Sequence, residues 1–386
     1  REQFRALKPN ADVDVVDPAS GEAWKVSYVD ANHCPGAAVL LFTQVESGRR
    51  YVHTGDMRAT PAMHATRLRD FAAGAAEVLY LDTTYANPRY AFAPQQASVD
   101  YVADAVAAVR AEAEEAKDDN KNKTLVLVAT YVIGKERVLV AAAKTLGCKI
   151  YAEQERKRRI LRLTLAEVLG SDAAAADLIT SDAEESPLHV LSWNSLGESW
   201  PYFRPDWGFI GQYLERHGAD AGVGFVPTGW VGLGSEKTRQ FRTMENPGKN
   251  VVIHLVPYSE HSSYAELCDF LNFMRPKRLE PTVVGGGPSS LPDEERERER
   301  AKTRRRILEL FHNYVDQTDA KRAFISRMGR KAKPKPEPNP KANAKAKALE
   351  EPTSASGSGL ESGLRPGLGL GLGLGLGLGL ESTKAA

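Results

Sequence analysis

Short apolar runs of β-type composition alternate with longer helical segments, and this alternation restricts the possible folds more than any other feature of the sequence. Residues 124–130 (TLVLVAT) read as a fully buried strand, and residues 94–117 have the i, i+3, i+4 apolar spacing of an amphipathic helix. Further strands are predicted at 23–31, 36–45, 50–53, 77–81, 188–191, 223–226, 251–256 and 282–284, and further helices at 135–146, 263–274 and 294–315. The pattern predicts an α/β protein with helices covering its sheets.

Composition excludes several classes of protein. The 386 residues carry 51 Lys and Arg against 50 Asp and Glu, so a uniformly basic nucleic-acid-coating protein is excluded, and DNA binding would need a local basic groove. The three cysteines, Cys34, Cys148 and Cys268, are far apart, which argues against a disulfide scaffold and predicts a reducing environment. No apolar run reaches the roughly 18 residues of a membrane helix, so we expect no membrane partner.

Polar residues of the kind that bind metals stand where predicted strands end. Asp30 and His33 follow one strand, Asp56 follows another in HTGD, and Asp82 ends a third in LYLDTTY. A single Asp at a strand end is more often a turn former, but three such clusters close together favour a site. His261 follows a later strand in PYSEHSSY, where Ser262 or Ser263 would cap a helix whose free N–H groups suit a phosphate. Imidazole and carboxylate are ligands that divalent cations prefer.

Six strings, in this order, resemble the DNA cross-link repair nucleases of the Artemis type. They are VDANHCPGAAVLLF, HTGDMRA, VLYLDTTYANPRY, YVIGKERV, FVPTGW and VPYSEHSSYAEL, and the resemblance extends over residues 20–315. These relatives are metallo-β-lactamase-fold enzymes with a β-CASP insertion. The resemblance implies an αβ/βα sandwich whose first strands are missing. It divides the chain into a first lactamase part (1–89), a β-CASP cap (90–240), a returning lactamase part with a C-terminal helix (241–328) and a disordered low-complexity tail (329–386).

The resemblance also implies roles for the residues of the strand-end clusters. His33 matches a histidine metal ligand, and Asp56 matches an aspartate that bridges two metals. Asp82 and His261 match the first two β-CASP motifs, which complete or orient the metal shell, and Asp56, Asp82 and His261 are the predicted catalytic residues. The expected cofactor is zinc, as one or two divalent ions, with magnesium or manganese as alternatives.

Other residues match motifs that line a pocket for the 5′-phosphate of DNA. They are Tyr85, Thr228 and Ser263, and Lys135 in IGKER is a further candidate for a phosphate contact, with a solvated surface lysine as the equal alternative. His189 matches a histidine at the end of a cap strand, but a core histidine is equally consistent with the sequence. The implied function is a metal-dependent 5′-to-3′ DNA exonuclease, acting on 5′-phosphorylated ends in interstrand cross-link and double-strand break repair in the nucleus.

Two departures from the family pattern leave alternatives open. None of the eight histidines forms a His-x-His pair, so the family's His-x-His-x-Asp-His motif is absent. We expect that the fragment starts after this motif and has little activity by itself, and a non-catalytic DNA-binding relative is the alternative. Residues 281–287 (PTVVGGG) lack the histidine of RNA-processing relatives, which favours the DNA branch over an RNA-cleaving enzyme.

Overall fold

The computed structural model describes residues 7–115, 123–198, 203–229, 241–285 and 290–316. The chain divides into two compact units. The larger unit, residues 1–284 with 302–316, contains both sheets and the candidate site. The smaller unit is residues 285–301 with 317–386, and its described part is mainly the beginning of helix α7 (Asp293–Leu310). The predicted tail at 329–386 lies outside the described residues.

The first sheet has six strands in the order β1-β2-β3-β4-β5-β15. Their bounds are β1 Val13–Val16, β2 Ala23–Asp30, β3 Ala38–Gln44, β4 Arg50–His53, β5 Ala76–Leu81 and β15 Leu279–Pro281. Strands β1 to β4 are antiparallel, whereas β4, β5 and β15 run parallel. Leu41, Val52, Leu79 and Leu279 pair in one row across four strands and are buried on one face. Helix α6 (Tyr264–Met274) packs its apolar side chains into the same core.

The opposite face of the first sheet is apolar but only half-buried. It carries Trp24, Val26 and Tyr28 from β2, which alternate with the buried Ser27 and Val29. Register places Phe42 beside Val26 and Tyr51 beside Phe42, so the apolar surface continues across β3 and β4. None of these half-buried side chains belongs to the three buried clusters that the described residues form.

The second sheet has seven strands in the order β13-β14-β12-β6-β9-β7-β8, all parallel except β13. Their bounds are β6 Thr124–Thr130, β7 Ile150–Tyr151, β8 Ile179–Thr180, β9 Leu188–Ser192, β12 Ala221–Pro227, β13 Arg242–Glu245 and β14 Val251–Val256. A short hairpin, β10 (Gly197–Glu198) with β11 (Arg204–Pro205), lies apart from both sheets.

Helices cover both faces of the second sheet, which explains the wholly apolar sequence of β6. The helices are α1 Gln95–Glu115, α2 Glu136–Leu146, α3 Glu155–Leu169, α4 Asp172–Asp177 and α5 Trp207–Arg216. Val126 and Val128 face one core, with residues of α1, α2 and α3. Leu125 and Leu127 face the other core, with residues of α5. Burying each of these side chains contributes about 1.5–3 kcal/mol.

The mixed α/β class is confirmed, and most predicted strands match within two residues. The predicted cap boundary at residue 240 falls inside the second sheet, because β14 pairs with β12 and extends this sheet to Val256. The strand predicted at 282–284 is wrong, since the pairing with β5 runs from Leu279 to Pro281. Among the described helices, none is both long and apolar enough to span a membrane.

Candidate metal centre

Three of the predicted ligands converge on one point. One potential ligand atom from each of His33, Asp56 and His261 lies within 4.8 Å of the other two. His33 comes from the loop after β2, Asp56 from the turn after β4 and His261 from the loop after β14. The Nε2 atom of His33 is 4.0 Å from Oδ2 of Asp56, whose side chain is 58% exposed. A carboxylate this accessible beside two imidazoles can bind a cation.

The ring of His33 is held by the backbone. Its Nδ1 lies 2.9 Å from the carbonyl oxygen of Glu260, which can only accept, so Nδ1 carries the proton. The lone pair on Nε2 is therefore left for a ligand, and Nε2 is the atom that faces Asp56. The rings of His33 and His261 are 4.6 Å apart between centroids.

His261 is oriented by the buried carboxylate of Asp82. Its Nδ1 is 2.7 Å from Oδ2 of Asp82, which also accepts the N–H of Met57 at 3.0 Å. The other oxygen, Oδ1, accepts the backbone N–H and the hydroxyl of Thr84 at 3.0 and 2.7 Å. Four hydrogen bonds occupy the carboxylate, so the structure favours the orienting role for Asp82. Burial acts to raise the pKa of Asp82, but these hydrogen bonds and His261 outweigh it and lower the pKa.

The loop that carries His261 is bound to the turn that carries Asp56. Arg58 is fully buried, and its guanidinium donates to Glu266 at 3.0 Å and to the carbonyl oxygens of Ser259 and Ala93 at 2.7 and 3.0 Å. The hydroxyl of Ser262 donates to the carbonyl oxygen of Met57. The same hydroxyl accepts the backbone N–H of Ala59. These contacts could not be predicted from the sequence, because Arg58 and Glu266 are 208 residues apart.

Lys135 is buried, so the solvated-surface alternative is wrong. Its Nζ is 3.1 Å from Oε2 of Glu260, and its backbone N–H donates to Oε1 at 2.8 Å. The ammonium also lies 4.9 Å from the ring centroid of Tyr258. Gly134 has φ +109°, and a Cβ there would be 2.7 Å from the Glu260 carboxylate. Glu260 therefore fixes the loop after β6 with its side chain and His33 with its backbone.

Two of the predicted phosphate residues, Tyr85 and Ser263, lie near His261. Tyr85 is buried, and its ring is 6.0 Å from that of His261. A Cβ on Gly229 would lie 2.5 Å from the Tyr85 hydroxyl, so the backbone of Gly229, the residue after Thr228, approaches Tyr85 closely. Ser263 caps α6 as predicted. However, its N–H donates to Glu266, and its hydroxyl accepts the N–H of Glu266, so these groups are already hydrogen-bonded.

His189 does not join the site. It is fully buried in the second sheet, with Nδ1 2.9 Å from the hydroxyl of Tyr213 and Nε2 3.0 Å from the carbonyl of Ser186. The core alternative is therefore the one the structure supports. Cys34 stands beside His33, and burial together with the charge of Glu260 raises its pKa to about 11. The thiol stays protonated, in agreement with a packing role.

The donor set fits a divalent cation. Two imidazole Nε2 atoms and one carboxylate provide ligands for zinc or another first-row metal, and the partners of both Nδ1 atoms complete the second layer of contacts. Among the described residues, the cluster has three donor residues. Three protein ligands leave coordination positions for water or substrate.

Comparisons with known proteins match this chain to DNA repair enzymes. The family model described as DNA repair metallo-beta-lactamase matches residues 173–287. DNA ligase 6 of Arabidopsis thaliana is 39% identical over 262 residues, which is 67% of this chain and 17% of that protein. DNA cross-link repair protein SNM1 of the same plant is 40% identical over 265 residues, 68% of this chain and 49% of that protein.

A more distant relative is named as a 5′ exonuclease. The 5′ exonuclease Apollo of Gallus gallus is 28% identical over 270 residues, covering 69% of this chain and 47% of that protein. The match spans less than half the length of each of these three relatives.

Proposed function

Because the chain belongs to the DNA repair metallo-β-lactamase family, whose members bind divalent metals, we propose that it is the nuclease region of a 5′-to-3′ DNA exonuclease. The substrate would be a 5′-phosphorylated end in the repair of interstrand cross-links and double-strand breaks, in the nucleus. The observation that carries the proposal is the convergence of His33, Asp56 and His261. Zinc is the proposed metal, since two imidazoles and one carboxylate suit it.

The residues of this chain would divide the work between holding and orienting. When bound, the cation would polarise the phosphodiester and lower the pKa of an attacking water. His33, Asp56 and His261 would hold the cation, and Asp82 would keep His261 turned toward it. We also propose that a His-x-His-x-Asp-His motif encoded upstream completes the ligand set.

DNA would enter where loops of both sheets meet. We propose that residues from 90 to 256 are the β-CASP insertion, which includes the whole second sheet. Tyr85, Thr228 and the Ser263 hydroxyl remain the proposed contacts of the terminal phosphate. For Lys135 we propose a phosphate contact only through its ammonium, which also binds Glu260.

The test is nuclease turnover on a single strand with a 5′-phosphate and a 3′-label. It is measured for this chain and for a version extended upstream through the ligand motif, each with zinc or with chelator. We expect stepwise shortening from the 5′ end by the extended protein, lost on chelation and in Asp56→Ala. Asp104→Ala, an exposed carboxylate on α1, is the matched control and should retain full activity.

An extended protein that binds zinc and DNA but never cuts would refute the exonuclease proposal and favour the non-catalytic alternative. Cleavage of RNA in preference to DNA would refute the choice of substrate.

A further inference from the structure

Three consecutive large apolar side chains are exposed directly after the central strand of the second sheet. Tyr131, Val132 and Ile133 are 43%, 55% and 44% exposed. They follow β6, at the carboxyl edge of a parallel sheet, which is where sheets of this kind bind ligands. An exposed run of this kind costs solubility, so it indicates contact with a partner.

One of these residues belongs to an aromatic stack. The ring of Tyr131 lies 4.3 Å from that of Trp193 between centroids, with 19° between the planes. Trp193 directly follows β9, the strand next to β6. The stack therefore stands on two neighbouring strand ends and provides a flat apolar surface. Nucleobases stack on such surfaces whatever their sequence.

The backbone beneath this surface is held in place. The ammonium of Lys157 is 2.9 Å from the Thr130 hydroxyl and 3.4 Å from the carbonyl oxygen of Val132, and it also donates to the carbonyl of Tyr131. On the other side, Lys135 Nζ is 5.7 Å from the ring centroid of Tyr131 and pairs with Glu260. The loop is thus ordered before any ligand arrives, which reduces the entropic cost of binding.

The surface is joined to the candidate metal centre by direct contacts. Lys135 binds Glu260, whose carbonyl oxygen holds His33 and whose neighbour in the chain is His261. A DNA strand whose 5′ end lies at the metal cluster can therefore place the next few bases against Tyr131.

Charge near this surface suits a phosphate backbone. Helix α3 has exposed arginines at i, i+3 and i+6, namely Arg156, Arg159 and Arg162. The guanidinium groups of these three arginines have no hydrogen bond or ion pair with another described residue, so their charges are not neutralised internally. Arg156 adjoins Lys157, whose ammonium reaches the exposed loop. Such a combination of aromatic and basic side chains is typical of single-strand binding.

We propose that Tyr131, Val132, Ile133 and Trp193 form a stacking surface for unpaired nucleobases of the DNA strand that enters the metal centre, with the α3 arginines contacting its phosphates. The inference rests on the proposed function for the identity of the strand. A duplex does not fit this surface, because its bases are already stacked on one another.

The test uses the full chain in chelator, so that nothing is cleaved. Short single strands with 2-aminopurine at successive positions are titrated, and the quenching of its fluorescence reports stacking on Tyr131 and Trp193. Tyr131→Ala and Trp193→Ala should each weaken single-strand binding about tenfold and abolish quenching near the 5′ end, with little effect on a blunt duplex. Val132→Ser is compared with Val45→Ser, which replaces a valine of similar exposure in the turn after β3.

Equal losses for Val132→Ser and Val45→Ser, quenching that survives Tyr131→Ala, or a wild-type chain that does not bind single strands would each overturn the inference. Circular dichroism of each variant identifies misfolding, and Tyr131→Leu replaces any alanine variant that does not fold. Binding is measured without metal, so the two proposals can fail separately. If bases stack on this surface but the extended protein does not cleave DNA, the exonuclease proposal is refuted and the stacking surface is retained.

Discussion

The Nδ1 atom of His261 lies 2.7 Å from Oδ2 of Asp82, although the two residues are 179 positions apart and belong to loops that follow different sheets. Nε2 of His261 is consequently left for the cluster with Asp56 and His33. The buried carboxylate thus determines which imidazole nitrogen is available to a cation, and the first prediction follows from this.

Asp82→Asn should weaken zinc binding and turnover of the extended protein by about 10- to 100-fold, as is usual when a residue that orients a metal ligand is changed. The amide retains the volume of the carboxylate but loses its charge and replaces one of its two acceptor oxygens by an NH2 donor. Isothermal titration with zinc measures the effect. Asp206→Asn, at the cap of α5, is the control and should leave zinc binding unchanged. Unchanged affinity in Asp82→Asn would contradict the orienting role.

Ser263→Ala should lower both stability and the preference for a 5′-phosphate. Its hydroxyl caps α6, and loss of such a cap costs about 1 kcal/mol. The preference is the ratio of cleavage rates on 5′-phosphorylated and 5′-hydroxyl strands. Ser171→Ala removes an equivalent cap from α4, away from the site, and should change stability only. If both variants keep the same ratio as the wild type, Ser263 does not contact the phosphate.

Glu260→Gln should destabilise the protein far more than removal of a surface partner. Lys135 and Glu260 are both buried, and breaking such a pair costs about 3–5 kcal/mol because the remaining charge has no partner. Glu185→Gln breaks the Lys149–Glu185 pair, where both side chains are nearly half exposed, and should cost much less because solvent screens the two charges. Urea unfolding compares the two variants. Similar losses would mean that the buried pair contributes little.

His189 should make stability depend on pH below neutrality. Burial lowers its pKa from 6.5 to about 4, so the folded state favours the neutral ring. Its contribution is complete above pH 6.5 and is lost as pH falls from 6.5 toward 4, by up to about 3 kcal/mol. Unfolding free energies of the wild type and His189→Gln are compared between pH 7 and pH 4.5. If their difference does not change with pH, the assignment is wrong.

Sequence patterns located the strands and the polar residues at their ends, because these depend on local composition. Strand β6 was predicted at its observed bounds, since wholly apolar runs of seven residues have few alternatives. Helix α3 was not predicted, because Arg and Glu dominate its first turns and hide the buried Leu161 and Leu165. Likewise, strand β13 has a largely exposed sequence and depends on pairing with β14.

The contacts that orient the site could not be predicted from the sequence. Glu260 acts on His33 through a carbonyl oxygen, which every residue has, so its side chain carries no signal of that role. Arg58 reads as an ordinary charged residue next to a turn, and only the fold shows that it is fully buried with three acceptors. The strings that resemble a family pointed to the ligands, whereas the residues that position them emerged from the fold.

Arg58 bonds to the carbonyls of Ala93 and Ser259, which stand on the two connections that lead into and out of the second sheet. The second sheet is inserted in the chain through these two connections. A single guanidinium binds both of them beside the candidate metal ligands. A molecule that separated the two sheets would therefore also move His261 away from Asp56. Separation of the two sheets and loss of a bound cation would then be a single event.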